Sequence, residues 1–397
     1  CSLYQNHHFS SEADRPILIQ NKHPGAAAES KSAGGQRLSS EIVIDAKSRS
    51  YIIIATLLVL FLGALDALVM SAAMPTIVSD LGGLHLYSWV YSAYLLARAV
   101  SLPVFGKLAD IFSSRRLYII SILIFLLGSI LAGLAQSMMQ LILSRLLQGI
   151  GAGGNFALVY IVLADVSTPE NRGKTLSLGS FIWGLASLLG PTFCGLVVTY
   201  FSWRWIFFIN VPLGLLSLVG IAIYLVEVRE KKREAAIDYW GAFTLSTTIL
   251  GLLTVFLLAG RSYDWISPQI IGLSMLTISA SLAFYYAEKR PQEPVLSLEF
   301  FGSRGFSIGN GSAFLASFTI FSLFAYSPLF IQGALGKTPL QMSVAMLSLS
   351  LGWSIGALVC GQTVNRIGQK PSTVFGSLCL AVGGGIMITF STGTSLT

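Results

Sequence analysis

The sequence predicts an all-α, polytopic membrane protein, and three features lead to that prediction. Hydrophobic residues make up 54% of the 397 residues and charged residues only 11%, against about 25% charged residues in soluble domains. The apolar residues fall into eleven stretches of about 20 residues, the length that a helix needs to cross a bilayer. Lys and Arg concentrate in alternate loops between these stretches. The composition therefore excludes a soluble cytosolic enzyme.

The chain is expected to begin with a polar tail and to continue through eleven spans. Residues 1–50 are rich in Ser, Ala, Lys and Glu without an apolar run, which predicts a disordered cytoplasmic tail. The predicted spans are 51–74, 87–105, 117–135, 141–163, 176–200, 205–226, 239–259, 269–287, 306–331, 340–361 and 372–391. The four cysteines and four histidines show no ligand spacing, so neither a metal nor a cofactor is expected.

The basic residues set the predicted orientation in the membrane. Alternate loops, starting after the second span, hold fourteen Lys and Arg residues, and the other loops hold three. The positive-inside rule therefore places the N-terminus and the basic loops in the cytoplasm. We expect the plasma membrane, or the inner membrane in a bacterium. The net charge of +7 is explained by these loops and indicates no nucleic-acid partner.

An internal repeat predicts the domain organisation. GKLADIFSSRR (106–116) follows the second span and GQTVNRIGQKP (361–371) follows the tenth. An offset of eight spans between two six-helix halves implies two extra helices, fourteen in all, of which three are missing here. The predicted domains are an N-terminal bundle over 51–226, a linker with two extra helices over 227–304 and an incomplete C-terminal bundle over 305–397.

Five motifs follow one another along the chain: FLGALDALVMSAAMPTIVSDLGG (61–83), GKLADIFSSRR (106–116), SRLLQGIGAGG (144–154), LGPTFCG (189–195) and WRWIFFINVPLG (203–214). With these motifs the sequence resembles the fourteen-helix drug:proton antiporter family of the major facilitator superfamily. The resemblance implies two pseudo-symmetric six-helix bundles plus two linker helices, with the C-terminal bundle truncated. It also implies a multidrug efflux transporter that exports small apolar or amphipathic compounds in exchange for protons by alternating access.

Other functions stay open at this point. An importer, or a narrow-substrate transporter for a metabolite or siderophore, would have the same fold. A membrane enzyme would need a catalytic constellation, and the sequence offers none; a P-loop for ATP-driven pumping is also missing. We expect a monomer in the lipid bilayer that binds a small-molecule substrate and protons.

Asp66 and Arg145 are the predicted proton-coupling residues. Asp66 is the only acid well inside a span, where a charge is costly and functional by default. The resemblance links Arg145 with proton transfer. Counting about 1.5 Å per residue from opposite ends of the first and fourth spans puts both charges at similar depth, which predicts a direct pair. The alternative is a fixed ion pair that only holds helices together.

Three further residues are predicted to line the substrate cavity. Arg98 lies midway along the second span, where it could bind an anionic substrate group, pair with Asp66 or extend to the membrane interface. Gln148 and Asn155 are polar residues of the fourth span; the alternative for Gln148 is a hydrogen bond between buried helices. The glycines around them indicate close helix packing.

Two sets of residues are expected to serve conformational change. The resemblance implies a latch between the halves at Gly106, Asp110 and Arg115, although Ser113 and Ser114 depart from the family pattern. Gly190, Pro191 and Gly195 are predicted to kink the fifth span, because proline removes a backbone hydrogen bond. By resemblance, this kink is associated with exporters. The alternative is an ordinary bent packing helix.

Overall fold

Twelve α-helices follow one another along the described part of the chain. The computed structural model describes residues 45–168, 170–227, 238–260, 262–289, 295, 298–331, 335–336 and 339–388. The helices are α1 (Ala46–Leu81), α2 (Tyr87–Ile111), α3 (Ser114–Gly133), α4 (Met138–Asp165), α5 (Arg172–Tyr200), α6 (Trp205–Phe208), α7 (Asn210–Tyr224), α8 (Tyr239–Leu258), α9 (Pro268–Ala287), α10 (Arg304–Leu329), α11 (Pro339–Ile367) and α12 (Gln369–Ile388). Within these residues no β-sheet forms, and the all-α prediction is confirmed.

Every predicted span falls on a helix of the structure. The sixth span is divided into α6 and α7, and α1 begins at Ala46, inside the stretch predicted as a tail; residues 1–44 lie outside the described residues. Within the part of the chain that the structure describes, six helical segments are long and apolar enough to cross a membrane: Ala46–Met70, Ser114–Gly133, Met138–Asp165, Trp205–Tyr224, Tyr239–Leu258 and Pro268–Ala287. The eleven-span topology and the domain boundaries stay predictions.

Short polar side chains begin several of the helices. Ser113, Ser137 and Ser267 each accept a hydrogen bond from a backbone N–H three residues later, at 3.3–3.4 Å. The Asp238 carboxylate accepts from the backbone N–H of Gly241 at 2.7 Å. Such caps satisfy backbone donors that the first helical turn leaves unpaired.

Among the first seven helices, α4 packs against α1, α2, α3 and α5, while α6 and α7 pack on α1 and α3. Helix α4 contacts α2 on one side, α3 on another, and α1, while α1 also packs against α5 and α7. Large apolar side chains remain on the outside, for example Leu216 at 64%, Phe243 at 62% and Phe314 at 69% exposure. Exposed apolar surface of this extent suits contact with lipid, where it requires no protein partner.

Glycines allow α4 to approach its neighbours closely. A methyl group at Gly149 would lie 2.9 Å from Cβ of Ala97 on α2, and one at Gly153 would lie 2.5 Å from the carbonyl oxygen of Arg98. On the opposite side, a methyl group at Gly151 would lie 2.7 Å from Cα of Phe125 on α3. The expectation of close helix packing around these glycines is confirmed.

Gly151→Ala is expected to destabilise the protein, because the added carbon meets the backbone of Phe125, which cannot rotate away. Overpacking of this kind costs about 1–3 kcal/mol. The matched control is Gly63→Ala in α1, where a methyl group would meet nothing within 4 Å and helix propensity favours Ala. Thermal unfolding of the purified variants measures the difference; equal melting temperatures would contradict the packing explanation.

Candidate functional site

A buried ion pair joins α1 to α4. Arg145 donates a hydrogen bond from Nη1 to Oδ2 of Asp66 at 2.6 Å, and neither side chain is exposed at all. A charge at such a position is stable only with a partner and further hydrogen bonds. The predicted direct pair is therefore present, and its part in proton coupling stays a prediction.

Three neutral side chains complete the cluster around the carboxylate. Gln148 donates from Nε2 to Oδ1 of Asp66 at 2.8 Å and accepts from Arg145 at 2.7 Å. Asn210 of α7 donates to Oδ1 of Asp66 at 3.4 Å and to Oγ of Ser129 at 2.9 Å. Four helices, α1, α3, α4 and α7, thus meet in one polar network.

Aromatic rings surround the other side of the Arg145 guanidinium. Its central carbon lies 4.1 Å from the ring centroid of Tyr94 on α2 and 5.9 Å from that of Phe207 on α6. Among the described residues, Nε and Nη2 of Arg145 have no hydrogen-bond acceptor. The ring faces supply part of the missing stabilisation, since a desolvated cation–π contact contributes about 2 kcal/mol.

The polar network separates two apolar clusters of the bundle. The cluster towards the N-terminus of α1 includes Ile52, Val59 and Leu62, and the cluster towards its C-terminus includes Met70 and Met74. Asp66 lies between them, away from water. A proton added to Asp66 would remove the counter-charge of Arg145 in a low-dielectric setting, where the change in interaction energy is large.

Arg98 does not pair with Asp66. Its guanidinium carbon lies 4.7 Å from the ring centroid of Phe156 on α4 and 5.5 Å from that of Trp183 on α5. Within the described part of the chain its side chain makes neither an ion pair nor a hydrogen bond. Of the predicted possibilities, pairing with Asp66 is excluded in this structure, and substrate contact stays a prediction.

The other two predicted cavity residues lie between helices. Asn155 is 6% exposed and accepts a hydrogen bond from Oγ of Ser121 on α3 at 2.7 Å. Gln148 is fully buried in the Asp66 network. Both amides satisfy buried polar groups across helix interfaces, and their contact with substrate stays a prediction.

The predicted latch residues lie at the joint between α2 and α3. Gly106 and Asp110 belong to the last turns of α2, and Ser113 is the N-cap of α3. Arg115 donates a hydrogen bond to the backbone carbonyl of Ala222, near the end of α7. The joint is thereby tied to α7, and a latch between the two halves stays a prediction.

The predicted kink of the fifth span stays a prediction, because a helix that continues through a proline can still be bent. Helix α5 runs without interruption from Arg172 to Tyr200, through Gly190 and Pro191. A methyl group at Gly190 would lie 3.4 Å from Cβ of Leu68 on α1. Pro191 therefore lies within one helical segment, and the part of α5 around Gly190 packs beside Asp66; the burial of Pro191 and Gly195 lies outside the described features.

Comparison with known proteins decides the family. The profile of the Major Facilitator Superfamily matches residues 56–397, most of the chain. The chain belongs to the Major Facilitator Superfamily. The predicted superfamily is thereby confirmed, while the fourteen-helix subfamily stays a prediction.

Relatives within the superfamily include two proteins of Bacillus subtilis (strain 168). Multidrug resistance protein 3 is 35% identical over 314 residues, which cover 79% of this chain and 61% of that protein. Multidrug transporter protein MdtP is 34% identical over 347 residues, covering 87% and 64%. The chain thus spans less than two thirds of the length of these relatives.

A solved structure shows the same fold at low sequence identity. The MFS proton:xylose symporter XylE bound to 6-bromo-6-deoxy-D-glucose superposes with a TM-score of 0.58 at 16% identity. The superposition covers 82% of this chain and 71% of that one. This similarity concerns the fold alone.

The sequence analysis did not single out Asn210 or Trp203 as candidate site residues. Asn210 nevertheless donates hydrogen bonds to Asp66 and Ser129. Trp203 is 3% exposed, whereas Trp205, two residues later, is 55% exposed. A polar residue within an apolar stretch was the available signal for Asn210, but the sequence does not reveal which helix it faces.

A second, more exposed network joins the end of α1 to the segment before α6. Asp80 accepts hydrogen bonds from the indole Nε1 of Trp203 and from Nη1 of Arg204, both at 2.9 Å. Arg204 also donates to the carbonyl of Ala135 at 3.2 Å. The hydrogen bond from Trp203, followed by that from Arg204, lowers the pKa of Asp80 from its ordinary value.

The lowered pKa of Asp80 predicts a pH-dependent contribution to stability. A carboxyl with a depressed folded-state pKa stabilises above its unfolded pKa, about 3.9, and the contribution is lost as the pH falls through the folded-state value. Asp80→Asn should therefore lower the melting temperature slightly at pH 7, and the difference from the wild type should shrink below about pH 4. Asp264→Asn, another exposed acid, is the control; a pH-independent difference would contradict the prediction.

Proposed function

We propose that the protein is a secondary active exporter that exchanges small apolar or amphipathic compounds for protons by alternating access. The proposal includes membership of the fourteen-helix drug:proton antiporter family. It depends on one observation above all, the fully buried Asp66–Arg145 pair with its amide donor Gln148. A buried carboxylate that a single counter-charge holds in place is suited to carry a proton, because protonation changes the local charge balance.

Protonation of Asp66 is the proposed trigger of helix movement. A neutral carboxyl no longer compensates Arg145, and an uncompensated buried charge costs about 3–5 kcal/mol. Arg145 would then keep its contact with the Tyr94 ring and seek other acceptors. Since α1 and α4 are joined by this pair, loosening it alters their packing and couples proton binding to alternating access.

Export of apolar compounds has separate support. The curated relatives bear the names multidrug resistance protein and multidrug transporter protein. Gly190, in the segment associated by resemblance with exporters, packs against Leu68 two residues from Asp66. The residues after Asp66 are Ala67 and Leu68, which gives this part of α1 an apolar character suited to apolar substrates.

We place the protein in the plasma membrane, or in the inner membrane of a bacterium, with its N-terminus in the cytoplasm. We propose that it acts as a monomer. The charge asymmetry of the loops supports this orientation. Single cysteines introduced at positions 264 and 232 of a cysteine-free, full-length protein test it. An impermeant reagent outside intact cells should label position 264 and not position 232; the reverse would contradict the orientation.

Coupling is tested with full-length protein in liposomes that contain the pH indicator pyranine. The liposomes hold a high lumenal concentration of ethidium, an amphipathic probe, and the membrane potential is clamped. Antiport predicts that the lumen becomes acidic as ethidium leaves, whereas symport would make it alkaline. Ethidium efflux without a change in lumenal pH would contradict proton coupling. An efflux rate no higher than that of protein-free liposomes loaded with the same ethidium would contradict the proposed export of such compounds.

A further inference from the structure

Arg98 supplies a positive charge that the bundle does not neutralise. In α1 to α7, within the residues that the structure describes, three charged residues lie at least seven positions from both ends of their helix: Asp66, Arg98 and Arg145. The Asp66 carboxylate accepts from Arg145, Gln148 and Asn210. One positive charge, that of Arg98, thus remains inside the bundle without a carboxylate partner.

Arg98 lies away from the Asp66–Arg145 pair and away from the helix ends. Its carbonyl oxygen faces Gly153 of α4, eight residues and about 12 Å beyond Arg145 along that helix. Its guanidinium lies against Phe156, which is nine residues, about 13 Å, before the end of α4 at Asp165. The guanidinium therefore lies beside the middle of α4 rather than beside its end, and the extension of Arg98 to the membrane interface stays a prediction.

Two aromatic rings hold the guanidinium in place. The central carbon lies 4.7 Å from the Phe156 centroid and 5.5 Å from the Trp183 centroid, and the two rings themselves are 6.4 Å apart in an edge arrangement. The N–H groups of a guanidinium lie in its plane, so contacts between its face and aromatic rings leave the edge of the group available. Along that edge it can bind a carboxylate in a bidentate manner. The rings offer apolar surface to whatever carries that carboxylate.

The cluster is on the side of the bundle that meets the later helices. Trp183 directly precedes Gly184, which lies against the Ser354 side chain of α11. Arg98, Phe156 and Trp183 are all partly exposed, although the neighbouring Gly153 and Gly184 are buried. Transporter substrates bind near the bilayer midplane between the two halves, so a small molecule can approach the guanidinium from there.

We propose that Arg98, Phe156 and Trp183 form a binding site for an organic anion, a compound with one carboxylate attached to an aromatic or extended apolar body. The carboxylate pairs with the guanidinium of Arg98, and the apolar body packs against the two rings. As a substrate site this rests on the proposed transport function, but the binding site can be tested without transport.

Binding is measured with the full-length protein in lipid nanodiscs at pH 7, with 2-naphthoate as the probe and the neutral 2-naphthamide as its matched control. The wild type should bind 2-naphthoate at least about tenfold more tightly than 2-naphthamide, since a desolvated charge pair is worth that much or more. Arg98→Gln should abolish the preference, and Arg98→Lys should retain part of it. Equal affinities in the wild type, no binding of either probe, or an unchanged preference in Arg98→Gln would each overturn the proposal.

A transport measurement separates this proposal from the proposed function. Arg98→Gln should reduce the ratio of 2-naphthoate efflux to ethidium efflux by about tenfold, because ethidium carries no carboxylate that could pair with the guanidinium. Coupled ethidium efflux without a preference for 2-naphthoate would overturn only the anion site. Preferential naphthoate binding without proton coupling would overturn only the exchange mechanism. Loss of both activities in Arg98→Gln, with a lowered melting temperature, would make Arg98 a structural residue and overturn the site.

Discussion

Full-length protein with Asp66→Asn should insert into the membrane but lose proton-coupled efflux. Its rate of proton uptake should fall to that of protein-free liposomes loaded with ethidium. Asn has nearly the volume of Asp, and its carbonyl oxygen can accept the hydrogen bond that Arg145 now donates at 2.6 Å. It cannot take up and release a proton, so it keeps the site permanently in the neutral form. The measurement is pyranine-detected proton uptake during ethidium efflux.

The control for this variant is Asp80→Asn, which removes a carboxylate from the same helix but outside the buried network. Asp80→Asn should retain coupled efflux, because its carboxyl is far from the Asp66–Arg145 pair in the helix. Wild-type coupling by Asp66→Asn would remove Asp66 from the proton pathway. Loss of coupling in both variants would point to a general effect of altering α1.

The largest loss of stability is expected for Arg145→Met. Methionine fills part of the space but leaves the Asp66 carboxylate buried with only amide donors, those of Gln148 and Asn210. Removing one partner of a buried pair lowers the free energy of unfolding by about 3–5 kcal/mol. Arg204→Met, which removes a guanidinium from the exposed pair with Asp80, should cost much less.

The double variant Asp66→Asn/Arg145→Met completes a thermodynamic cycle for the buried pair. It should be more stable than Arg145→Met alone, because no unpaired charge remains. Denaturant unfolding in lipid or detergent gives the coupling energy. Strict additivity of the two single effects would contradict a direct interaction. A neutral pair is a sharper test than exchanging the two charges, since Gln148 and Asn210 donate hydrogen bonds to position 66 and would face an arginine there.

The helices and the ion pair could be predicted because they follow from length and depth. An apolar stretch of about 20 residues specifies a spanning helix, and a constant rise of about 1.5 Å per residue places Asp66 and Arg145 in the same layer. The glycines of α4 were also informative, because a residue without a side chain is useful mainly where backbones meet. The superfamily followed from the motifs rather than from these physical features.

The faces of the helices could not be predicted in the same way. A helix that is apolar on every side gives no stripe to show which side is inward. The sequence therefore did not reveal that Asn210 contacts Asp66, that Trp203 is buried against Asp80, or that Arg98 lies under Phe156. Likewise, Pro191 predicts a bend in the fifth span, but the sequence does not reveal that one helix runs from Arg172 to Tyr200 or that it packs on α1.

Infrared difference spectroscopy of the full-length protein, recorded as the pH is lowered in the presence of substrate, tests most directly whether Asp66 carries the transported proton. The spectrum reports the C=O stretch of a carboxylic acid, which a carboxylate lacks. The proposal predicts that this band grows in the wild type and in Asp80→Asn and that its growth is diminished in Asp66→Asn by the contribution of one carboxyl, with Arg145 released as that carboxyl becomes neutral. An undiminished band in Asp66→Asn, or no such band in the wild type under conditions of coupled transport, would contradict it.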